Sequence, residues 1–435
     1  MNNTIYKSRR EALMQLLDER SVAVILSAHY KVRSNDTEFP YRQESNFYYL
    51  SGIDEDHCAI VLDGAEKKSY LFVKEITEEE TLWLGSRMGI SGAKALDAFD
   101  EVYDIDTFEA QMKTLLQERV RLYYDLFGDD PLLETLRLTC KELLHARGVL
   151  RSPRCFADVF ELTQKMRLIK SDDEVLQIRQ ALAITKEAHH RAMRLCRDGM
   201  KEYEIEAEIE YIFAKNGASH NAYASIVASG NNANILHYVD NKETLQSTDL
   251  LLIDAGCEYG MYASDITRTF PVSGRFTQAQ RELYEMLLHV QLEIIAMIRP
   301  GINKKIVQEA SERLLCEGMV RLGILKGEVD TLLEAKTHKK YYPHGIGHWL
   351  GLDVHDPSPY VDEAGEQIVF EAGMVMTIEP GIYIKSDDKD APQRFRGMGI
   401  RIEDNILVTA QGCENLSEEI AKTVDAIEAM CQSSL

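Results

Sequence analysis

Two aspartates, Asp254 and Asp265, flank a turn in the stretch LLLIDAGCEYGMYASDITRTF, which covers residues 250–270. An apolar run ends at Asp254, and a β-type run beyond the glycine-containing turn holds Asp265. A hairpin with Tyr259-Gly260 as its two-residue loop makes the two acids face each other, with Cβ atoms about 5 Å apart. Carboxylates that close need a shared proton or a cation between them. The stretch predicts such a site, because the apolar run before Asp254 is not typical of a solvent-facing hairpin.

A glycine-rich segment, YPHGIGHWLG, carries His344 and His348 and is followed by His355. On a helix, the spacing of the first two histidines would be typical of a zinc-protease pair. Pro343 and the glycines argue against a helix, and a loop whose backbone passes close to a ligand fits better. Three of the twelve histidines lie within this short span. Such clustering indicates a functional site, although a lone histidine is more often structural.

Two strand-like runs carry further acids. Glu379 ends an alternating run just before a Pro-Gly turn, where a rigid scaffold can present a catalytic group. Arg401 and Glu403 share one face of a second run. Taken alone, these residues are typical of an exposed turn acid and a solvated ion pair. Beside a metal, Arg401 would orient a ligating carboxylate. His237, in a short β-like run, is a weaker candidate.

The first 168 residues carry alternating strand and helix patterns, which predict a small α/β domain. The helix predicted at 8–20 has an apolar stripe of Ala12, Leu13, Leu16 and Leu17. The remaining patterns are strands at 22–26, 58–62, 69–73 and 120–124 and helices at 107–119 and 132–146.

Ser171, followed by three acids, predicts the N-cap of a long helix that ends near Cys196. We place the domain boundary just before it, which gives domains 1–168 and 169–435. A helix–turn–helix pattern around residues 197–200 recurs around 299–302, at an offset of 102 residues. Either a duplicated α+β half or chance similarity accounts for that recurrence.

Composition narrows the class of protein. A length of 435 residues favours two domains, and the net charge of -22 argues against nucleic acid as a partner. The N-terminus does not resemble a signal peptide, and no apolar run reaches bilayer length. The eight cysteines form no CxxC pair. We therefore expect reduced thiols and a cytoplasmic protein that does not bind membranes.

In chain order, Asp254, Asp265, His348, Glu379 and Glu403 match the five metal ligands of the pita-bread metallopeptidases. That family includes methionine aminopeptidase, prolidase and Xaa-Pro aminopeptidase. The flanking text IDAGCEYGMYASDITRTF, HGIGHWLGLDVHD, MVMTIEPGIYI and GIRIEDNILVT resembles the bacterial Xaa-Pro aminopeptidases in particular. The segments at 41–52 and 80–87 resemble the N-terminal domain of those enzymes, so the resemblance spans nearly the whole chain.

The resemblance implies an α+β architecture: a C-terminal pita-bread catalytic domain and a smaller N-terminal α/β domain. It implies two divalent metal ions, with Mn²⁺ expected and Zn²⁺ or Co²⁺ as alternatives, peptide substrates, and a homodimer or homotetramer. Glu379 would be both ligand and base, His237 and His355 would lie near the substrate carbonyl, and His344 would line the pocket. Tyr223 and Arg401 would support the ligands.

Three alternatives remain within the family. Methionine aminopeptidase is disfavoured by the N-terminal domain. A non-catalytic pita-bread binding protein is disfavoured because all five ligands are present. Prolidases of the family carry an arginine, which can bind the carboxylate of a dipeptide, in the loop before the strand with the first glutamate ligand. Here that loop, residues 361–367, has three acids and no basic residue. The sequence therefore favours an Xaa-Pro aminopeptidase over a prolidase.

Overall fold

The chain folds into two units, residues 1–166 and 167–435. The computed structural model describes residues 3–147 and 152–433 of them. The predicted boundary, between residues 168 and 169, lies two residues beyond this division. No helix within the two described ranges is both long and apolar enough to cross a membrane.

A mixed six-stranded sheet forms the centre of the first unit. The strands of this unit are β1 (Ser21–Leu26), β2 (Val32–Ser34), β3 (Thr37–Glu38), β4 (Ala59–Asp63), β5 (Lys68–Val73), β6 (Glu101–Asp104), β7 (Arg121–Tyr124) and β8 (Cys155–Asp158). The helices are α1 (Asn3–Leu16), α2 (Ser45–Ser51), α3 (Glu78–Leu84), α4 (Gly89–Ala95), α5 (Phe108–Leu115), α6 (Pro131–His145) and α7 (Phe160–Leu168). Strands β2 and β3 form a separate hairpin, and the others lie in the order β6-β5-β4-β1-β7-β8. All four predicted strands are confirmed, as β1, β4, β5 and β7.

The predicted stripe of the first helix is half wrong. Leu13 and Leu17 are buried, but Ala12 and Leu16 are exposed. The buried face of α1 instead includes Arg10, whose guanidinium donates to backbone carbonyls of the same unit. Sequence patterning missed this face because a buried arginine satisfied by carbonyls does not register as apolar.

Short sheets and long helices make up the second unit. Its helices are α8 (Asp172–Leu195), α9 (Glu202–Lys215), α10 (Gln278–Met297), α11 (Lys304–Arg321), α12 (Val329–Glu334) and α13 (Val424–Gln432). Its strands are β9 (His220–Asn221), β10 (Ile226–Ser229), β11 (Leu250–Asp254), β12 (Cys257–Tyr259), β13 (Tyr262–Ala263), β14 (Thr267–Pro271), β15 (Val375–Ile378), β16 (Gly381–Ile384), β17 (Met398–Arg401), β18 (Asp404–Thr409) and β19 (Gly412–Asn415). Every residue of β11, β14, β15 and β16 is buried. Ser171 caps α8 through a capping box with Glu174, as predicted.

The predicted hairpin register is wrong by one residue on each strand. The two-residue loop is Gly260-Met261, with φ of 54° and 70°, so both residues lie in the left-handed region that a type I′ turn requires. Tyr259 pairs with Tyr262, and Asp254 consequently pairs with Thr267 instead of Asp265. Asp265 lies in the irregular segment between β13 and β14. The two acids nevertheless meet, because that segment brings the Asp265 carboxylate to the end of β11.

The repeat noted in the sequence is present in the backbone. The turn before α9 is tied to residue 245, with Gly199 N–H donating to Leu245 and Leu245 N–H donating to Met200. The turn before α11 makes the same two bonds, between Gly301 and Phe370 and between Phe370 and Ile302. The residue just before each helix also forms an isolated β-bridge, Lys201 with residue 244 and Asn303 with residue 369. In both halves the bridge partner directly precedes the residue that is bonded to the turn. These matching bonds favour a duplicated half over chance similarity.

Candidate active site

A cavity of about 340 Å³ in the second unit brings together all ten residues that the sequence singled out. The ten residues are Tyr223, His237, Asp254, Asp265, His344, His348, His355, Glu379, Arg401 and Glu403. The other lining residues are apolar: Ala224, Ile226, Leu236, Val239 and Val354. Polar groups thus converge in a cavity whose other lining residues are apolar, which is the usual arrangement of a binding site.

The two aspartates share a hydroxyl partner. Tyr223 Oη lies 2.6 Å from Oδ1 of Asp254 and 2.6 Å from Oδ1 of Asp265, and its single proton serves one of them at a time. Burial and the two carboxylates raise the pKa of Tyr223 well above its ordinary value, so the hydroxyl stays protonated. The close approach of the acids predicted from the sequence is therefore confirmed, although the facing pair is not.

Arg401 anchors the Asp254 side of the cluster. Its buried guanidinium donates to Asp254 Oδ2 at 2.6 Å, to the Tyr383 hydroxyl at 2.9 Å and to Thr267 Oγ1 at 3.1 Å. Burial lowers the pKa of Arg401, but Tyr383 and Asp254 outweigh that effect and raise the pKa above its ordinary value. The arginine is therefore a permanent cation whose donors orient the Asp254 carboxylate.

His348 lies on the Asp265 side. Its Nε2 is 3.2 Å from Asp265 Oδ2, and its Nδ1 is 3.0 Å from the Trp349 carbonyl. A ring nitrogen facing a carbonyl must carry the proton, which leaves Nε2 free to bind a cation when the ring is neutral. Without a cation, burial lowers the pKa of His348, but Asp265 and Glu379 raise it more strongly, to about 9. The imidazole is then held as an imidazolium between acids.

Glu379 and Glu403 complete the acidic cluster, whose other members are Asp254 and Asp265. Glu379 follows β15, and burial raises the pKa of its carboxyl to about 7. Glu403 lies between β17 and β18 and accepts a 2.7 Å hydrogen bond from Thr267 Oγ1. Burial and the neighbouring carboxylates raise its pKa well above the ordinary value. Both shifts have one cause: four carboxylates are crowded into a buried space with too little positive charge.

The donor set fits divalent cations. One ligand atom each from Asp265, His348 and Glu403 lies within 4.8 Å of the other two. Asp254 and Glu379 add oxygen donors to the same cavity. Among the described residues that line the cavity, Arg401 and His348 are the cations in direct contact with the four carboxylates. An oxygen-rich set with one imidazole suits metals such as Mn²⁺, Zn²⁺ and Co²⁺. Bound cations would supply the missing charge.

The remaining histidines surround the acids. His344 Nε2 is 2.8 Å from the Tyr383 hydroxyl, and burial lowers the pKa of this histidine to about 4, so it is neutral. The His355 ring lies 4.3 Å from that of His348, centroid to centroid, in an edge arrangement. His237 is exposed at the cavity and follows a 3-10 turn, Gly230–Asn234, so the predicted β-like run around it is wrong. All three are placed to contact a ligand without belonging to the acidic cluster.

Four supporting residues were missed in the sequence. Tyr383 and Thr267 bond Arg401, as described above. Asp356 is buried and bonds Arg167 and Lys170, which fixes the turn that carries His355. Its position directly after His355 was a usable signal.

The fourth, Glu202, is fully buried and accepts bonds from Ser229, Asn232, Tyr238 and the Glu243 N–H. These bonds fix the segment that carries His237. No local pattern in the sequence indicates them, because all the donors lie more than 25 residues away.

Comparison with known proteins identifies the family. Residues 176–410, more than half of the chain, match the model of metallopeptidase family M24. The chain belongs to metallopeptidase family M24. Residues 6–123 match the aminopeptidase P N-terminal domain, and the predicted architecture of a smaller N-terminal domain and a pita-bread domain is confirmed. As an M24 metallopeptidase, the chain is a hydrolase that binds divalent metal.

Relatives match the M24 chain from end to end. The Xaa-Pro aminopeptidase of Escherichia coli is 40% identical over 432 residues, which cover 98% of this chain and 97% of that one. The structure of Pseudomonas aeruginosa aminopeptidase PepP is 41% identical, with a TM-score of 0.96 over 99% of this chain and 98% of that one. Zinc-substituted E. coli aminopeptidase P in complex with product is 39% identical, with a TM-score of 0.95 over the same shares of the two chains.

Proposed function

We propose that this chain is an Xaa-Pro aminopeptidase, which releases the N-terminal residue from peptides with proline in second position. One observation carries the proposal: four carboxylates and one imidazole share one cavity in a chain that matches an Xaa-Pro aminopeptidase over 98% of its length. Burial of a carboxylate costs desolvation free energy, and a non-catalytic binding protein without bound metal would have nothing to offset that cost at this cluster.

We propose that Asp254, Asp265, His348, Glu379 and Glu403 hold two divalent metal ions, with Mn²⁺ the expected metal and Zn²⁺ or Co²⁺ as alternatives. When bound, such a pair lowers the pKa of water and stabilises a developing oxyanion. Tyr223 and Arg401 support the ligands: the hydroxyl of Tyr223 contacts both aspartates, and Arg401 donates to the second oxygen of Asp254.

Glu379 is the proposed base. In the protein without cations, burial raises the pKa of the Glu379 carboxyl to about 7, so its surroundings favour the protonated form more than water does. It would take a proton from the attacking water and pass it to the proline nitrogen as that nitrogen leaves. A carboxyl held in a buried, apolar cavity performs both transfers without competition from bulk solvent.

The three histidines are proposed to contact the substrate. His237 and His355 would donate hydrogen bonds to the substrate carbonyl as it becomes tetrahedral. His344, neutral and bonded to Tyr383, would line the pocket beside Glu379, whose Oε2 is 3.7 Å from its Nδ1. Proline in second position has no backbone N–H, so recognition must rest on its carbonyl and ring and not on that donor. The cleaved isomer is expected to be trans, which predominates for Xaa-Pro bonds.

Prolidase is the alternative activity. A prolidase must bind the carboxylate of a dipeptide, and a buried carboxylate needs a free cation. Among the described residues that line the cavity, Arg401 is the only lysine or arginine, and Asp254 and Tyr383 already occupy its donors. Residues 361–366 are exposed, and the loop 361–367 contributes no residue to the lining. The cavity therefore favours peptides that continue beyond proline.

Hydrolysis of Ala-Pro-Ala and Ala-Pro tests the proposal. With Mn²⁺ we expect kcat/KM for Ala-Pro-Ala to exceed that for Ala-Pro at least about tenfold, or ~1.4 kcal/mol of discrimination. EDTA should abolish alanine release, and added Mn²⁺, Zn²⁺ or Co²⁺ should restore it. Preference for Ala-Pro would make the enzyme a prolidase. No release with any of the three metals would overturn the proposed function.

We also propose that the chain forms a homodimer or homotetramer in the cytoplasm. Helix α3 has no buried residue, and it presents Leu82, Trp83 and Leu84 with 81%, 79% and 66% of their surface exposed. Large apolar side chains this exposed are typical of a protein interface. All eight cysteines are free, and most of them are buried, which supports a reducing compartment.

A further inference from the structure

Lys304 is the first residue of α11, and the chain around it is firmly fixed. The preceding turn is bonded to residues 369 and 370, just ahead of the strand that leads to Glu379. The Asn303 side chain caps the helix by accepting the Ile306 N–H at 3.1 Å. Lys304 therefore starts from a backbone position that is tied to the active-site strand.

The ammonium of Lys304 lies over the ring of Tyr360, 3.8 Å from its centroid. Tyr360 supports the residue that follows His348: its hydroxyl accepts the Trp349 N–H at 3.1 Å, and its ring stacks on Trp349. Trp349 directly follows the proposed ligand His348. The cation–π contact thus holds a positive charge against the residues that position His348.

Within the described residues, no carboxylate lies at ion-pair distance from this charge. The neighbouring Lys305 points to Glu309, at 3.9 Å, whereas Lys304 forms no ion pair with any residue in 3–147 or 152–433. A cation in the first turn is also opposed by the helix dipole. Burial lowers the pKa of Lys304, and only the charge of Glu379 raises it. A partly buried lysine in an unfavourable field, without a protein partner, is poised to bind an external anion.

The duplicated half of the unit offers a direct contrast. Glu202 is the first residue of α9 and corresponds to Lys304 at the offset of 102 residues. Both oxygens of its carboxylate accept hydrogen bonds from donors within residues 229–243. At the matching position of the second half, the charge is reversed, and no described residue forms a hydrogen bond or ion pair with the Lys304 ammonium.

The proposed reaction decides which end of a peptide Lys304 meets. Release of the first residue requires the bond after that residue to lie at the proposed ligands in the cavity. The ammonium end of a short peptide then lies inside the cavity, and its carboxylate end points outward. Lys304 is not among the lining residues, yet its charge acts on Glu379 and His355, which are. A carboxylate that emerges from the cavity on this side therefore meets the Lys304 ammonium.

We propose that Lys304 is a specificity-determining residue that binds the free carboxylate of short Xaa-Pro-Yaa substrates, an inference that rests on the proposed function. The carboxylate of an Xaa-Pro dipeptide is on proline itself. The carboxylate of Xaa-Pro-Yaa is one residue further along the peptide, on Yaa. Lys304 thus contributes to selection of peptide length and of the uncapped C-terminus.

The test compares Ala-Pro-Ala with its C-terminal amide, using the Mn²⁺-loaded full chain. Wild-type enzyme should favour the free acid by about fivefold in kcat/KM, mainly through KM, as expected for a partly solvated ion pair. Lys304→Met should bring the ratio near one, and Lys304→Arg should restore most of the preference. Lys305→Met is the matched control and should keep the wild-type ratio.

Each ratio is measured within one variant, so a partial loss of folded enzyme cancels. An unchanged ratio in Lys304→Met, or equal rates for acid and amide in the wild type, would overturn the role of Lys304. Failure of the wild type to cleave either peptide would instead overturn the proposed function.

Discussion

At the scale of single residues, Asp265 is held on several sides. Its carboxylate contacts Tyr223 and His348, and Asn405 bonds both its backbone N–H and its carbonyl. Its position is thus set by neighbours on other elements, and its negative charge is available to bind a cation.

We predict that Asp265→Asn loses bound metal and lowers kcat/KM by at least about a hundredfold, because an amide removes one negative charge from the proposed ligand set. Metal content after dialysis, together with peptide hydrolysis, checks this. Asp240→Asn, which changes an exposed acid that does not line the cavity, is the control and should bind metal normally. Normal metal content and turnover in Asp265→Asn would contradict the assignment.

His237 differs from Asp265 in lying at the exposed side of the cavity. We predict that His237→Ala retains its metal and lowers kcat more than it raises KM, since the imidazole is proposed to contact the reacting carbonyl. Steady-state kinetics and metal analysis of the same preparation separate the two effects. Metal loss in this variant would instead make His237 a ligand.

The pKa shifts predict how pH acts on the metal-free protein. The pKa of His348 is raised from 6.5 to about 9, so its stabilising contribution is complete below pH 6.5 and is lost as the pH rises through 9. The pKa of Glu379 is raised from 4.5 to about 7, so its contribution is complete below pH 4.5 and is lost through pH 7. The lowered pKa of Asp265 acts only below its ordinary value of 3.8, outside this range.

We therefore expect the Tm of EDTA-treated protein to fall between pH 6 and 8.5. The Tm of Zn²⁺-loaded protein should fall less, because a cation replaces the proton on His348 and offsets the carboxylate repulsion. Calorimetry of both forms across this range gives the comparison. A gap between the two Tm values that narrows as the pH rises would show that these groups do not govern stability.

At the scale of elements, the loop that carries His348 depends on a close backbone approach. A Cβ on Gly347 would lie 1.9 Å from the Thr377 carbonyl oxygen of β15, which is rigid backbone. The same contact places His348, because the Thr377 N–H donates to its carbonyl and the Thr377 hydroxyl accepts its N–H. The glycine therefore sets the distance between the histidine loop and the strand that ends at Glu379.

Gly347→Ala should consequently reduce the free energy of unfolding by about 3 kcal/mol and weaken metal binding, because loop and strand must separate. Urea unfolding and metal titration provide the two measurements. Gly412→Ala is the matched control: no atom lies within 4 Å of its added Cβ, and the change should stay within about 0.5 kcal/mol. Equal stability of the two variants would refute the close-packing argument.

At the scale of the whole molecule, α3 stands out because its large apolar side chains are exposed. The helix has a capping box between Thr77 and Glu80, yet none of its residues is buried, and Leu82, Trp83 and Leu84 are mostly exposed. Such a surface is costly in water unless a partner covers it.

We predict that the wild type sediments as a dimer or tetramer of the 49.5 kDa chain. The double variant Leu82→Glu, Trp83→Glu should shift toward monomer, because charges replace the apolar contact. Leu138→Glu, which changes a single exposed leucine on α6, is the control and should leave the mass unchanged. Identical sedimentation of all three proteins would remove α3 from the interface.

The sequence by itself determined the parts that depend on local order. Ser171 and Glu174 specify the start of α8, and the β1, β4, β5 and β7 strands follow from alternation and apolar runs, because such signals act within a few residues. The ten cavity residues were also predictable, since family resemblance and the clustering of acids and histidines identify them without knowledge of their contacts.

Tertiary structure alone decided the contacts between distant residues. The observed hairpin register differs from the predicted one by one residue on each strand, because the two-residue loop is Gly260-Met261 and not Tyr259-Gly260. Glu202 and Lys304 occupy matching positions, yet one is neutralised by a segment about 30 residues away and the other lies free against Tyr360. Local propensity carries no information on such partners, because they meet only when the packed elements fix their distance and exclude water.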